Sequence, residues 1–150
     1  MENKFIDILE KDEQIIKVFK PNKKRFWKTL IFPFAIPLFW PHLIIMMVFT
    51  FFTLPFFFKK GYNNLYYAYT NKRLIVRSGM FGVNYSSLDY QDITSTTVSV
   101  GFLDKKTNTG SLQFVSPSVH QGRPMTFSYI ENPYEVMKEI KEYMSNKENI

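Results

Sequence analysis

Residues 69–79 read YTNKRLIVRSG, and this stretch predicts a β-hairpin. Residues 70–72 supply short polar groups that can close a tight turn by hydrogen-bonding their own backbone, and Gly79 tolerates the positive φ that ends the second strand. Because side chains alternate along a strand, Arg73 and Arg77 are predicted to share one face, and Leu74 and Val76 to share the other. These roles define a fold and are not catalytic.

Further strand patterns follow the hairpin, and a helix pattern ends the chain. The predicted strands cover residues 65–70, 73–78, 83–88, 93–100, 111–115 and 125–130. Apolar and polar residues alternate in the last of these, as in an antiparallel sheet with one buried face. Asn132 as N-cap and Pro133 begin a helix to Ser145, whose apolar side chains recur at three- and four-residue spacing. Before the hairpin, Phe5–Phe19 predicts a short helix followed by a strand.

Four segments carry a resemblance to a known family. Residues 69–79, LDYQDI at 88–93, TGSL at 109–112 and IENP at 130–133 are similar to patterns of the bacterial membrane-anchored pleckstrin-homology (PH) domain family, YdbS-like. The resemblance implies a mainly β, membrane-anchored protein. It further implies an N-terminal hydrophobic helical hairpin followed by a PH-like antiparallel β-barrel or sandwich, which a C-terminal α-helix caps.

A second feature is a run of thirty residues, Thr29–Phe58, without Asp, Glu, Lys or Arg. Its length predicts residence in a bilayer, and the reversal of a hairpin is expected at Trp40-Pro41-His42; a single tilted span and a re-entrant loop remain alternatives. The residues expected at the membrane interface are Lys23, Lys24, Arg25, Trp27, Lys28, Trp40, Lys59 and Lys60.

The positions of the charges predict the topology. Basic residues flank both ends of the uncharged run, and such flanks stay in the cytoplasm, so both termini and the PH-like domain are predicted on the cytoplasmic side of the cell membrane. The domains are expected to be a cytoplasmic lead-in over residues 1–28, the hairpin over 29–58 and the PH-like domain over 61–150. The net charge of +6 is concentrated at these flanks, which favours contact with anionic lipid and argues against nucleic acid as a partner.

No enzyme is predicted from this sequence. It contains no Cys, which excludes a disulfide framework and a thiolate zinc site, and it contains no nucleophile elbow, P-loop or metal-ligand spacing. We therefore predict no catalytic residue, no metal and no cofactor.

The predicted function is that of a non-catalytic interaction or scaffold module at the cytoplasmic membrane face. Membrane lipids and a protein, either another protein or a second copy of this chain, are the expected partners. Two alternatives are an accessory subunit of a membrane complex and a domain that recognises an anionic lipid or another anion. For anion binding, the loop cations Lys105, Lys106 and Arg123 are the expected contacts.

Overall fold

The computed structural model describes residues 2–31, 55–117 and 124–148. Within these ranges the strands are β1 (Ile15–Phe19), β2 (Tyr66–Thr70), β3 (Arg73–Ser78), β4 (Asn84–Asp89), β5 (Ser95–Ser99), β6 (Thr109–Val115) and β7 (Met125–Glu131). The helices are α1 (Lys23–Ile31), α2 (residues 55–64), α3 (Phe102–Lys105) and α4 (Pro133–Glu148). Short 3-10 helices cover Glu2–Lys4, Ile6–Ile8 and Tyr90–Asp92.

The strands form two antiparallel sheets. The first has the order β1-β2-β3-β4 and the second the order β5-β6-β7. The predicted strands and the C-terminal helix are confirmed, and so is the short helix followed by a strand before them. Leu74 lies opposite Leu88 in the first sheet, and Leu112 lies opposite Phe127 in the second.

The main core lies between the two sheets and the apolar face of α4. Its buried side chains are Tyr67, Tyr69, Leu74, Leu88, Leu112, Phe114, Met125, Phe127, Ile130, Val136, Met137 and Ile140. The rings of Tyr67 and Phe127 stack across the sandwich with centroids 4.8 Å apart. The amphipathic pattern of α4 is thus used for core packing.

A second, smaller core covers the outer face of the first sheet. Phe5, from the N-terminal segment, is fully buried there against Tyr66, Ala68 and Ile75. Strand β2 is consequently buried on both faces, although alternation alone predicts one wet face. Residues 2–19 therefore pack as part of the sandwich, and β1 pairs with β2 although residues 20–65 separate the two strands.

The YTNKRLIVRSG hairpin forms as predicted. The Thr70 hydroxyl accepts hydrogen bonds from the backbone N–H groups of Lys72 and Arg73, at 3.1 and 3.0 Å. Gly79 has φ +136°, and a Cβ there would collide with the carbonyl oxygen of Gly82, so only glycine fits without displacing the turn.

The start of α4 differs in one detail from the prediction. The Asn132 carbonyl accepts a hydrogen bond from the Val136 N–H at 3.1 Å, as at the first residue before a helix. However, the Asn132 side-chain oxygen accepts its hydrogen bond from the Asn108 side-chain amide. This contact ties the start of α4 to the β5–β6 connection.

The predicted fold class is corrected in its N-terminal part. It included a hydrophobic helical hairpin over Thr29–Phe58, but within the described ranges no helix has both the length and the apolar character needed to cross a bilayer. Of that segment, these ranges contain residues 29–31 of α1 and residues 55–58 of α2. The ring of Phe58 packs against Phe26 of α1, which in turn contacts Tyr129 of the sandwich. Residues 32–54, with the predicted reversal at Trp40-Pro41-His42, lie outside the described residues.

Candidate functional site

Helices α1 and α2 meet on one side of the sandwich. The ring of Phe26 in α1 lies 5.9 Å from that of Phe58 and 5.2 Å from that of Tyr62, both in α2. It also contacts Tyr129 of β7 edge to face, at 6.3 Å. The two flanks of the uncharged run are therefore neighbours on the domain surface.

An ion pair fixes α1 to the β5–β6 connection. Arg25 Nε lies 2.5 Å from Asp104 Oδ1, and the two side chains are only 11% and 10% exposed. The second carboxylate oxygen of Asp104 accepts the Gly101 backbone N–H at 3.0 Å, and the Arg25 guanidinium lies 5.0 Å from the centre of the Tyr129 ring. Arg25, predicted at the membrane interface, thus has a carboxylate partner within the domain.

The other residues predicted at the membrane interface have fewer contacts in the fold. Trp27 is half-buried, and Trp40 lies outside the described residues. The exposed ones are Lys23, Lys24 and Lys28 on α1, and Lys59 and Lys60 on α2.

One residue of α2 and three residues of the β3–β4 connection form an exposed apolar patch. We call Phe56, Met80, Phe81 and Val83 the apolar patch; its two phenylalanine side chains are 64% and 73% exposed. Met80, Phe81 and Val83 lie in the β3–β4 connection. This connection contacts α2, where the ring of Phe57 lies 5.3 Å from that of Phe81. Exposed apolar clusters of this kind mark surfaces that contact a partner or a membrane.

A group of cations surrounds Tyr66, next to the apolar patch. We call Lys4, Lys20 and Arg77 the basic cluster. The two Lys Nζ atoms each lie 4.6 Å from the centre of the Tyr66 ring, and the Arg77 guanidinium lies 5.9 Å from it. Lys20 Nζ also donates to the Tyr66 hydroxyl at 3.2 Å. Asn64, in the last turn of α2, contacts both Arg77 and Gly79, which connects the cluster to the patch.

The basic cluster has no carboxylate partner among the described side chains. Among the described atoms, Arg77 donates to two neutral oxygens, those of the Tyr85 hydroxyl at 3.3 Å and the Asn64 carbonyl at 3.2 Å. Burial opposes ionisation of Tyr66, but hydrogen bonds from Lys20 and Lys4 outweigh it and lower the pKa of its phenol below the usual tyrosine value. The shift reflects a positive potential at this position.

Arg73, on the same strand face as Arg77, has a different environment. Its guanidinium binds Glu13 Oε2 at 2.9 Å and the Ile8 carbonyl, also at 2.9 Å. The prediction that Arg73 and Arg77 share a face is confirmed. The hairpin sequence shows neither which of the two is neutralised nor that Lys4 and Lys20 join Arg77, because those partners come from the N-terminal segment.

The anion-binding residues predicted from the sequence lie elsewhere. Lys105 and Lys106 are exposed, and Lys106 Nζ lies 5.6 Å from the centre of the Phe102 ring. Lys105 lines an open pocket of about 580 Å³ between β5, the β5–β6 connection and the start of α4. Two exposed aromatic residues near this pocket are Phe102 and Tyr134, at 77% and 67% exposure. Arg123 lies outside the described residues.

No metal centre is evident in the described ranges, where no three His, Cys, Asp or Glu side chains are grouped to hold an ion. The two enclosed carboxylates described above are already engaged: Asp104 by Arg25, and Glu13 by Arg73 and Thr70. The arrangement of these features is therefore suited to contact and recognition.

Comparisons with known proteins agree with this description. A model described as "Bacterial PH domain" matches residues 29–145 of the chain. A crystal structure of a DUF1696 family protein with a pleckstrin-homology domain from Shewanella loihica PV-4 is similar, with a TM-score of 0.53 and 14% identity over 95% of this chain and 92% of that one. The pleckstrin-homology domain from Shewanella amazonensis SB2B has a TM-score of 0.52 and 16% identity over 95% of this chain and 84% of that one. No curated protein matches at a significant level.

Proposed function

The chain belongs to the bacterial PH domain family, and from that premise we propose that it is a non-catalytic interaction module working at the cytoplasmic face of the cell membrane. The observation that carries this proposal is the apolar patch. Phe56 and Phe81 project from two separate segments that meet through Phe57, beside the cationic side chains of Lys59 and Lys60. An apolar surface with lysines at its edge suits the boundary between headgroups and acyl chains of an anionic bilayer.

The sequence around α2 supports the same location. The uncharged run ends at Phe58 within α2, so the apolar patch continues from the most apolar part of the chain. Pairing of β1 with β2 also requires that the strands before and after this run lie in one compartment, which supports placing both termini on one side.

A direct test of location uses the chain's lack of cysteine. We expect Asn3→Cys and Asn146→Cys, each made in the full chain in intact cells, to resist a membrane-impermeant maleimide and to react once the cells are opened. The chain should remain in the membrane fraction after a high-salt wash. Labelling of either variant in intact cells, or recovery of the chain in the wash, would contradict the proposed location.

A protein partner is proposed for the pocket beside α4. Exposed aromatic side chains anchor many protein interfaces. Tyr134 lines this open pocket, and Phe102 is exposed on α3, the helix that contributes Asp104 and Lys105 to the pocket lining. A photo-crosslinker at Phe102 should capture one discrete protein, or a second copy of the chain, and Tyr134→Ser should abolish that product. The matched control is the same crosslinker at Lys138, which is exposed on α4. If Phe102 and Lys138 yield the same products, this surface has no specific partner.

Anion recognition by Lys105 and Lys106 is a second candidate function, favoured by the position of Lys105 at the pocket and of Lys106 beside Phe102. Arg123 is included in this proposal from the sequence alone. Each exposed Lys near an anionic surface contributes about 1 kcal/mol, so Lys105→Ala with Lys106→Ala should weaken binding to anionic vesicles about tenfold or more at low salt. The control is Lys138→Ala with Lys141→Ala, which removes the same charge from α4. Equal binding by both double variants would exclude this loop as the anion site.

A further inference from the structure

We propose that the basic cluster is a binding site for a phosphoryl group, that of inorganic phosphate or of a phosphomonoester, held by Lys4, Lys20 and Arg77 over the Tyr66 ring. Three cations converge on one aromatic side chain, and the described side chains provide no carboxylate to neutralise them. Cations gathered around one side chain repel each other, so an anion that bridges them would stabilise the arrangement.

Two other enclosed cations among the described residues are paired with carboxylates, which makes the basic cluster distinctive. Arg25 is paired with Asp104 and Arg73 with Glu13, at N–O distances of 2.5 and 2.9 Å. These two enclosed arginines each have a carboxylate partner, whereas the three cations of the basic cluster have none among the described side chains.

The donors around Tyr66 fit a phosphoryl group in number and type. A phosphomonoester carries nearly two negative charges at neutral pH and three strongly accepting oxygens. Lysine provides a mobile point charge for such a group, and arginine a planar fork of N–H donors. Arg77 uses Nε and Nη1 for neutral acceptors, whereas its Nη2 has no acceptor among the described atoms and is available to a ligand.

The site also joins the N-terminal segment to the first sheet. Lys4 ends the 3-10 helix Glu2–Lys4, its carbonyl accepts the Tyr85 hydroxyl at 2.8 Å, and the next residue, Phe5, is fully buried. A ligand bridging Lys4 and Arg77 would therefore hold this segment on β3. Bound phosphate should slow tryptic cleavage after Lys4 in the wild-type chain several-fold, whereas chloride at equal ionic strength should not.

Affinity is the primary test, and it does not depend on the proposed membrane location. The full chain in mild detergent is titrated with inorganic phosphate by calorimetry at low salt. We expect saturable binding that Lys20→Gln and Arg77→Gln each weaken about tenfold, because each loses one charge-assisted contact. Lys4→Gln, at the start of the chain, tests the third contact without altering the sheet. The control, Lys138→Gln with Lys141→Gln, removes more charge from α4 and should bind as the wild type does.

Two further arms identify the source of the phosphoryl group. Vesicles of phosphatidylcholine containing phosphatidic acid, compared with phosphatidylcholine alone, should displace phosphate if the ligand is a lipid headgroup. If they do not, the site takes a soluble phosphate. The proposal is overturned if the wild-type chain shows no saturable phosphate binding, or if the site variants bind phosphate as tightly as the α4 control.

Discussion

Arg73 Nη2 lies 2.9 Å from Glu13 Oε2, and this ion pair joins residues on either side of the uncharged run. The Glu13 side chain is fully buried, and its other oxygen accepts the Thr70 hydroxyl at 2.8 Å. These two contacts hold the N-terminal segment against the turn of the β2–β3 hairpin. This contact, with β1–β2 pairing, makes residues 2–19 part of the domain.

Loss of Arg73 should destabilise the domain strongly. Arg73→Ala leaves the buried Glu13 carboxylate without its cation, and breaking a buried pair from one side costs about 3–5 kcal/mol. We expect a decrease of that size in the free energy of unfolding, measured by urea denaturation of the full chain. Lys72→Ala, in the same turn but with an exposed partner, Glu10, should cost less than about 1 kcal/mol. Equal losses in the two variants would show that the Glu13 contact is dispensable.

Acid should destabilise the wild-type chain partly through Glu13. Burial alone would raise the pKa of Glu13, but hydrogen bonds from Arg73, the Glu10 backbone and Thr70 lower it below its usual value. A carboxyl group whose pKa is lower in the folded state contributes stability above its unfolded pKa, about 4.3, and loses this contribution as the pH falls through the folded pKa. Glu13→Gln should therefore be less stable at pH 7 and lose less stability between pH 5 and pH 3. Parallel pH profiles would contradict this assignment.

The packing of α4 should be essential for the fold. Ile140 is fully buried between α4 and the sheets, so Ile140→Asp would bury an unpaired charge and cost about 4 kcal/mol or more, enough to unfold a small domain. The loss is measured by circular dichroism and thermal denaturation. Lys141→Asp, at the next, exposed position, is the control and should unfold at nearly the wild-type temperature. A stable Ile140→Asp variant would show that α4 is not part of the core.

The apolar patch should enter the lipid phase when the chain binds a bilayer. In the Cys-free chain, Phe81→Cys can carry an environment-sensitive fluorophore, and its emission should shift to the blue with vesicles and become shielded from aqueous iodide. Phe102→Cys is the matched control, since Phe102 is similarly exposed but lies on α3, outside the apolar patch. We expect that fluorophore to stay accessible to iodide. Equal quenching by iodide at both positions would show that the apolar patch does not enter the membrane.

Local sequence was sufficient for much of the fold. Alternation, turn residues and helix periodicity placed the strands from β2 to β7 and α4 within a few residues of their observed bounds, because these features depend on neighbours along the chain. The resemblance in the hairpin at residues 69–79 indicated the PH domain family, which the family comparison confirms. The predicted membrane hairpin is corrected, because no helix of the described residues is long and apolar enough to span a bilayer. Hydropathy measures composition and does not show contacts such as that of Phe58 with Phe26.

The contacts that define the candidate site depend on the folded arrangement. Arg73 and Arg77 are equivalent by strand alternation, yet Glu13 neutralises the first, while Lys4 and Lys20 add positive charge beside the second. Those partners lie more than fifty residues away along the chain, and no local pattern encodes which of them arrives at which arginine. Composition and periodicity determine secondary structure, because they act over a few residues. Charge compensation is a property of long-range packing. It distinguishes Arg73, which is paired with Glu13, from Arg77, which has no carboxylate partner among the described side chains.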